Sequence, residues 1–392
     1  MPETIEISLT DHGEVSSAER KTFLESIPYY LGGVYNAEFT ANTLVIRDVP
    51  AGAVDSITQA ARECLATAVA EHDRFEEKCV SSFTGDFALR ENTYEELLAR
   101  GDVMPSQVGK ASYAGDMVKI FRALDEFISA QCIAMGAGTE IYPSALEGSS
   151  LLRAGYFNTF AQHTYFMAPL KTSRPALGAA ADGSILSDED GSAAEHLQTP
   201  EWVFSPTVCH HCFESRKDSA IELPLKITAL NQCSRYEVHG TRSLERLRFY
   251  WMREFVHFDS DEAAVVASLD SFLDFMVETL TRWGITHEIV TASDPFFADS
   301  ATSKRVFQNL FALKRELKLP IPGGSLACAS FNNHQASLVQ SFAVAAAGED
   351  EDSSISSGCV AWGYDRLLFA LLVQLGTVVD EWPQVIRDDL GI

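Results

Sequence analysis

Residues 231–259, NQCSRYEVHGTRSLERLRFYWMREFVHFD, read as a strand, a polar loop and a second strand. Arg235 and Glu237 stand two apart, so on the first strand both side chains project to one face. An arginine fork matches phosphate oxygens bidentately, and a carboxylate beside it can accept from an adenine amino group or an ammonium. A cross-strand ion pair on a solvated sheet is the plain alternative for an isolated Arg-x-Glu.

Two segments flank this hairpin. Upstream, CHHCF at 209–213 sets two cysteines three apart around two histidines, a spacing that half of a zinc site could use. No second CxxC or HxxxH follows, so any remaining ligands come from distant sequence. Downstream, SSGCVAWGYDRLLFALL at 356–372 reads as a short apolar strand, a glycine turn and a helix opening at Asp365 and Arg366. Positive charge in the first turn of a helix opposes the macrodipole. Arg366 therefore needs a partner, either a triphosphate or a neighbouring carboxylate.

Further out, residues 4–10 alternate as a strand, 17–31 carry apolar residues at helical spacing, 34–49 read as strand, turn and strand about Asn42, and 51–75 form a long helix. Residues 1–80 are thus a small α+β accessory domain without convergent chemistry. Residues 81–106 are expected to connect it to an α+β domain over 107–392. In that domain 116–135 is an amphipathic helix, 140–146 a strand containing Pro143, and 175–198 a solvated loop.

The whole chain has 392 residues, 46% of them hydrophobic, enough for one large core and a smaller second one. Fifty-five acidic against 30 basic residues give a formal charge of -25, which disfavours a broad grip on a phosphate backbone. No stretch approaches the ~20 apolar residues of a membrane span, and MPETIEISLTDHGE lacks the basic and apolar regions of a signal peptide. A cytoplasmic, membrane-free protein is expected, with its eight cysteines as free thiols or metal ligands.

Together these segments resemble class II aminoacyl-tRNA synthetases. The Arg-x-Glu hairpin is similar to motif 2, the glycine turn with Asp-Arg-Leu to motif 3, and the 116–135 helix with the Pro143 strand to motif 1, the dimer element. A closer resemblance runs through SPTVCHHCF, SRYE, MREFV, SDPFF, SFNNHQ, GCVAWGYDRL and EWP-VIRDDL. These resemble the amino acid:[carrier-protein] ligases, relatives of the zinc-dependent archaeal-type seryl-tRNA synthetases. The resemblance implies an antiparallel sheet flanked by helices and, as activity, ATP-dependent formation of an aminoacyl-adenylate followed by transfer of the aminoacyl group to the phosphopantetheine thiol of a carrier protein.

The same resemblance implies roles at matching positions. Zinc would be held by Cys209, Glu254 and Cys359, with His210, His211 and Cys212 as neighbours. Arg235, Glu237, Arg246, Tyr250 and Arg366 would bind ATP with Mg2+, Arg235 on the α-phosphate and Arg366 across the adenine or γ-phosphate. Asn332, His334 and Gln335 would contact substrate or the pantetheine arm. A basic helix over 301–319, carrying Lys304, Arg305, Lys314, Arg315 and Lys318, would dock the acidic carrier protein. The partners implied are an amino acid, ATP, a carrier protein and a second copy in a homodimer, with tRNA not expected because residues 1–80 hold few basic residues. Trp251 stands where relatives often carry arginine. Seryl-tRNA charging and a weakened scaffold paralogue are the alternatives.

Overall fold

The structure, a computed structural model, describes residues 2–9, 36–40, 42–72, 78–186, 193–237, 243–292, 314–348 and 354–392, with single positions between 15 and 31. Two compact units are present, the first built on Met1–Lys78 and the second on Cys79–Glu237 and the later chain.

In the first unit, β1 (Pro2–Ser8), β2 (Asn36–Thr40) and β3 (Thr43–Pro50) form an antiparallel sheet in the order β1-β3-β2. Asn42 lies in the turn between β2 and β3. Ile5 and Ile7 of β1 and Leu44 and Ile46 of β3 face a core shared with Ile57, Ala61 and Leu65 of α1 (Val54–His72). The alternation of β1 and the helical spacing of α1 bury one face of each.

The second unit carries an eight-stranded sheet. Its strands are β4 (Cys79–Phe83), β5 (Gly138–Thr139), β6 (Leu225–Ser234), β7 (Phe249–Asp259), β8 (His287–Thr291), β9 (Lys314–Ile321), β10 (Gly324–Gln335) and β11 (Ser356–Gly363). They run in the order β4-β8-β9-β10-β11-β7-β6-β5, antiparallel throughout except for the β5–β6 pair. The helices used below are α2 (Thr93–Arg100), α3 (Gly115–Ala134), α4 (Arg174–Ala181), α5 (Cys209–Glu214), α6 (Glu262–Arg282) and α7 (Tyr364–Leu375).

Strand alternation sorts the two faces of this sheet. Phe255, Phe331, Val360 and Trp362 turn into the main core with Phe272 and Leu269 of α6 and the apolar side of α7. Their neighbours Val256, Phe258 and Cys359 turn the other way, into a smaller core with Cys209, Cys212 and Phe213 of α5. One face is thus structural, and the other brings the cysteine-bearing segments together.

The segment expected as a connector contributes β4, an edge strand paired with β8, and the helix α2. Three local expectations are corrected. Residues 140–146 are not one strand. Pro143 has no N–H for a ladder, Arg216 ion-pairs with Glu140, and only Ala145–Glu147 pairs, in a separate small sheet. Within 175–198, α4 forms with Pro175 in its first turn and the Ser173 hydroxyl accepting from Ala176 N at 3.4 Å. The basic helix over 301–319 is overturned where it is described: KRELKLPI alternates in burial as β9, and residues 301–313 lie outside the described residues.

Candidate active site and metal centre

The β6–β7 hairpin forms with Ser234 paired to Phe249 at its loop end. Arg235 and Glu237 therefore lie just beyond β6 rather than on it. Their positions are fixed by the loop itself. Arg235 N donates to Arg248 O at 3.0 Å, Glu237 N to Arg235 O at 2.8 Å, and Arg248 Nε to Glu237 O at 2.7 Å. Glu237 is buried, and Arg246 approaches its carboxylate at 3.6 Å.

Arg366 reaches this region from the first turn of α7. Its Nε donates to Glu245 O at 2.9 Å and its Nη1 to Ala327 O at 3.4 Å. Burial holds the guanidinium below its usual range, Arg246 and Arg235 push the same way, and Glu237 opposes them. Three arginines and one carboxylate thus feel one another at this end of the hairpin. Three positive charges against one negative charge suit a polyanion. Asp365, next to Arg366, makes its hydrogen bonds elsewhere: it accepts from Trp251 N at 2.6 Å and from the Tyr113 hydroxyl, with burial pushing it up to about 6.

Tyr250 and Trp251 follow from β7. Tyr250 donates its hydroxyl to Pro206 O at 2.8 Å, and the Arg235 guanidinium lies 6.0 Å from its ring centroid. Trp251 packs edge-on against Phe121 of α3, with ring centroids 5.8 Å apart. On the same face of β7 as Trp251, the buried Arg253 binds Asp125 of α3 at 2.6 Å, and Tyr364 of α7 donates to the same carboxylate at 2.8 Å. This network joins the three motif segments, and its spacing is invisible within any one of them.

The second cluster is built from segments far apart in sequence. Cys209 opens α5, Cys359 sits on β11 opposite Val256, and His334 sits near the end of β10. Each offers a donor atom, and the three atoms lie within 4.8 Å of one another. All three residues are buried. The neighbouring Cys209 thiol and burial hold the Cys359 thiol well above its usual range. His334 is pushed down to about 4 by burial, so its imidazole is neutral at pH 7 with a free lone pair.

Glu254 projects from the same face of β7 as Val256 and is 1% exposed. Its oxygens accept from Val208 N at 2.8 Å and Cys209 N at 3.1 Å, and its carboxylate lies against both thiols. Burial raises Glu254, while these hydrogen bonds oppose that shift. Two thiols and an imidazole are a donor set that suits zinc. Of the expected triad, Cys209 and Cys359 join His334 within 4.8 Å, while Glu254 stands against the two thiols without belonging to that group.

The rest of CHHCF serves α5. His210 bonds to the Thr207 hydroxyl, His211 stacks on Tyr142 with centroids 5.2 Å apart, and the Tyr142 hydroxyl donates to Cys212 Sγ at 3.4 Å. Burial pushes His210 down to about 3 and His211 to about 4. In SFNNHQ, Asn332 donates to Cys359 Sγ at 3.4 Å, and Gln335 donates to Glu262 at 3.1 Å. Gln335 is thereby tied to the start of α6. Of the expected docking residues, Lys314 pairs with Glu316 at 3.0 Å and Arg315 with Asp270 at 2.6 Å, Lys318 lies on β9, and Lys304 and Arg305 lie outside the described residues.

No known family profile matches the chain. It is 28% identical over 270 residues to amino acid--[acyl-carrier-protein] ligase 1 of Bradyrhizobium diazoefficiens, covering 65% of this chain and 78% of that protein. It is 20% identical over 295 residues to the type-2 serine--tRNA ligase of Methanococcus aeolicus, covering 72% of this chain and 56% of that one. Among solved structures, M. kandleri SerRS in complex with A. aeolicus tRNASec superposes with a TM-score of 0.70 at 19% identity, covering 99% of this chain and 77% of the other. Seryl-tRNA synthetase from Pyrococcus horikoshii complexed with ATP superposes at 0.60 and 11% identity, covering 87% and 82%. The fold is therefore the α+β fold of class II synthetases, and the motif resemblance extends to named ligases of both kinds.

Proposed function

We propose that this chain activates a small amino acid with ATP and transfers the aminoacyl group to the phosphopantetheine thiol of a carrier protein. The observation that carries this reading is the Pro206 carbonyl, which accepts from both Arg235 and Tyr250 three residues before Cys209. The arginine-lined space and the thiol cluster thus share one short loop. Arg235, Arg246 and Arg366 would hold the triphosphate with its Mg2+, and Glu237 and Tyr250 would receive the adenine. Zinc on Cys209, Glu254 and Cys359 would supply a Lewis-acid site for the amino group of the substrate. A carboxylate attacking phosphorus needs orientation and charge neutralisation, with no side-chain nucleophile.

The carrier enters through the relatives named amino acid--[acyl-carrier-protein] ligases. Docking through the basic residues of 301–319, a homodimer built on α3, and Asn332 and Gln335 as supports of the substrate pocket belong to the same proposal. A second reading is favoured by one observation: the superposition on the tRNA-bound synthetase takes in 99% of this chain, including the Met1–Lys78 unit. Under that reading the acceptor is tRNA.

The acceptor experiment separates the two. Zinc-loaded protein with ATP and labelled glycine, alanine or serine is offered a phosphopantetheinylated carrier or bulk tRNA. A hydroxylamine-labile thioester on the carrier, seen by mass spectrometry, is the expected result. Charging of tRNA with an unmodified carrier would overturn the carrier assignment.

A further inference from the structure

We infer that His334 is itself a ligand of the metal held by Cys209 and Cys359, the three donor atoms that lie within 4.8 Å of one another. This rests on the proposed metal centre and adds to it a residue that the motif resemblance assigns to substrate.

The backbone aims His334 at the cluster. β10 pairs with β11 through Asn332 to Cys359 and Asn333 to Gly358, then slips by one residue before Gln335 meets Ser357. His334 is the residue left over in that bulge, and bulges redirect side chains out of strict alternation. The bulge is clamped on both sides. Gln335 N donates to Asn333 Oδ1 at 2.9 Å, Asn333 Nδ2 donates to Glu262 at 2.9 Å, and the Ser337 hydroxyl donates to His334 O at 2.7 Å. Gln335 takes a positive φ of 51°, a conformation a non-glycine residue adopts at some cost.

The ring so placed is almost without protein partners. Its Nδ1 is 3.4 Å from the Ser357 hydroxyl, a long contact, and Phe213 packs edge-on at 5.9 Å between centroids. A buried imidazole ordinarily has stronger hydrogen bonds. The two thiols within 4.8 Å are its polar surroundings. Two cysteines and a histidine are a three-donor zinc set that leaves a fourth position open.

Zinc-edge X-ray absorption on the full-length protein tests this. The wild type should bind one zinc per chain and show the outer-shell scattering of a coordinated imidazole. His334→Gln should lose that signature and bind zinc about tenfold more weakly or worse in chelator competition, while His210→Asn and His211→Asn should keep it. Should His334→Gln fail to fold, imidazole scattering that persists in the other two variants carries the result. Wild-type protein that binds zinc without imidazole scattering, or His334→Gln with an unchanged spectrum, would overturn the ligand assignment and leave the metal centre standing. Wild-type protein that binds no zinc would overturn both.

Discussion

His257 shows how a single residue sets a pH response. It lies buried on β7, with Nε2 at 3.2 Å from Asp259 Oδ2, and burial pulls it down to about 4 with Lys226 adding to the fall and Asp259 opposing it. The folded state therefore binds its proton less tightly than the unfolded chain, whose histidine titrates near 6.5. Stability rises with pH between about 4 and about 6.5 and is lost as pH falls through that window. The expected contribution is on the order of 2 kcal/mol. His257→Asn should reduce the pH slope of the urea-unfolding midpoint across that window, to which the buried His210, His211 and His334 also contribute, and an unchanged slope would contradict the assignment. At this scale the motifs around Arg235, Cys359 and Arg366 were recognisable in sequence, whereas the placing of His334 beside the two thiols was not, because its direction depends on a bulge in the pairing of β10 with β11, which no local pattern encodes.

Elements join through contacts that the hydrophobic pattern does not display. Asp125 on α3 binds Arg253 of β7 and Tyr364 of α7, fixing the helix, the hairpin strand and the strand-to-helix turn to one another. Asp125→Ala strands a buried guanidinium and should cost about 3 kcal/mol in denaturant unfolding; a loss below about 1 kcal/mol would show that the network is not structural. Gly358 on β11 has no room for a side chain, since an added Cβ would meet Val265 Cγ1 at 2.8 Å and Asn332 O at 3.0 Å. Gly358→Ala should destabilise by about 1–3 kcal/mol through overpacking and weaken zinc retention by moving Cys359, both measurable on one preparation. The strongly periodic α1 and α3 and the alternating β1 and β7 were legible in sequence. KRELKLPI was misread because its charges also fit a helix, and sheet pairing with β8 and β10 decided the matter. The Arg235–Glu237 segment falls outside β6 because the hairpin ends at Ser234.

At the scale of the whole molecule, a formal charge of -25 coexists with a local excess of arginine, Arg235, Arg246 and Arg366 about Glu237. Long-range repulsion of polyanions and short-range affinity for one triphosphate are compatible, because exposed charges are screened within about 8 Å in physiological salt and enclosed ones much less. Among the described residues no helix is long and apolar enough to cross a membrane. The class of fold was legible from three motifs in the right order, whereas the acceptor was not, since carrier proteins and tRNA are met by surfaces rather than by motifs. Amino-acid-dependent exchange of pyrophosphate into ATP tests the central claim most directly. Zinc-loaded protein should exchange with at least one of glycine, alanine or serine, and Arg235→Ala should slow exchange by about a hundredfold or more. Folded, zinc-loaded protein that exchanges with none of the twenty amino acids would contradict it.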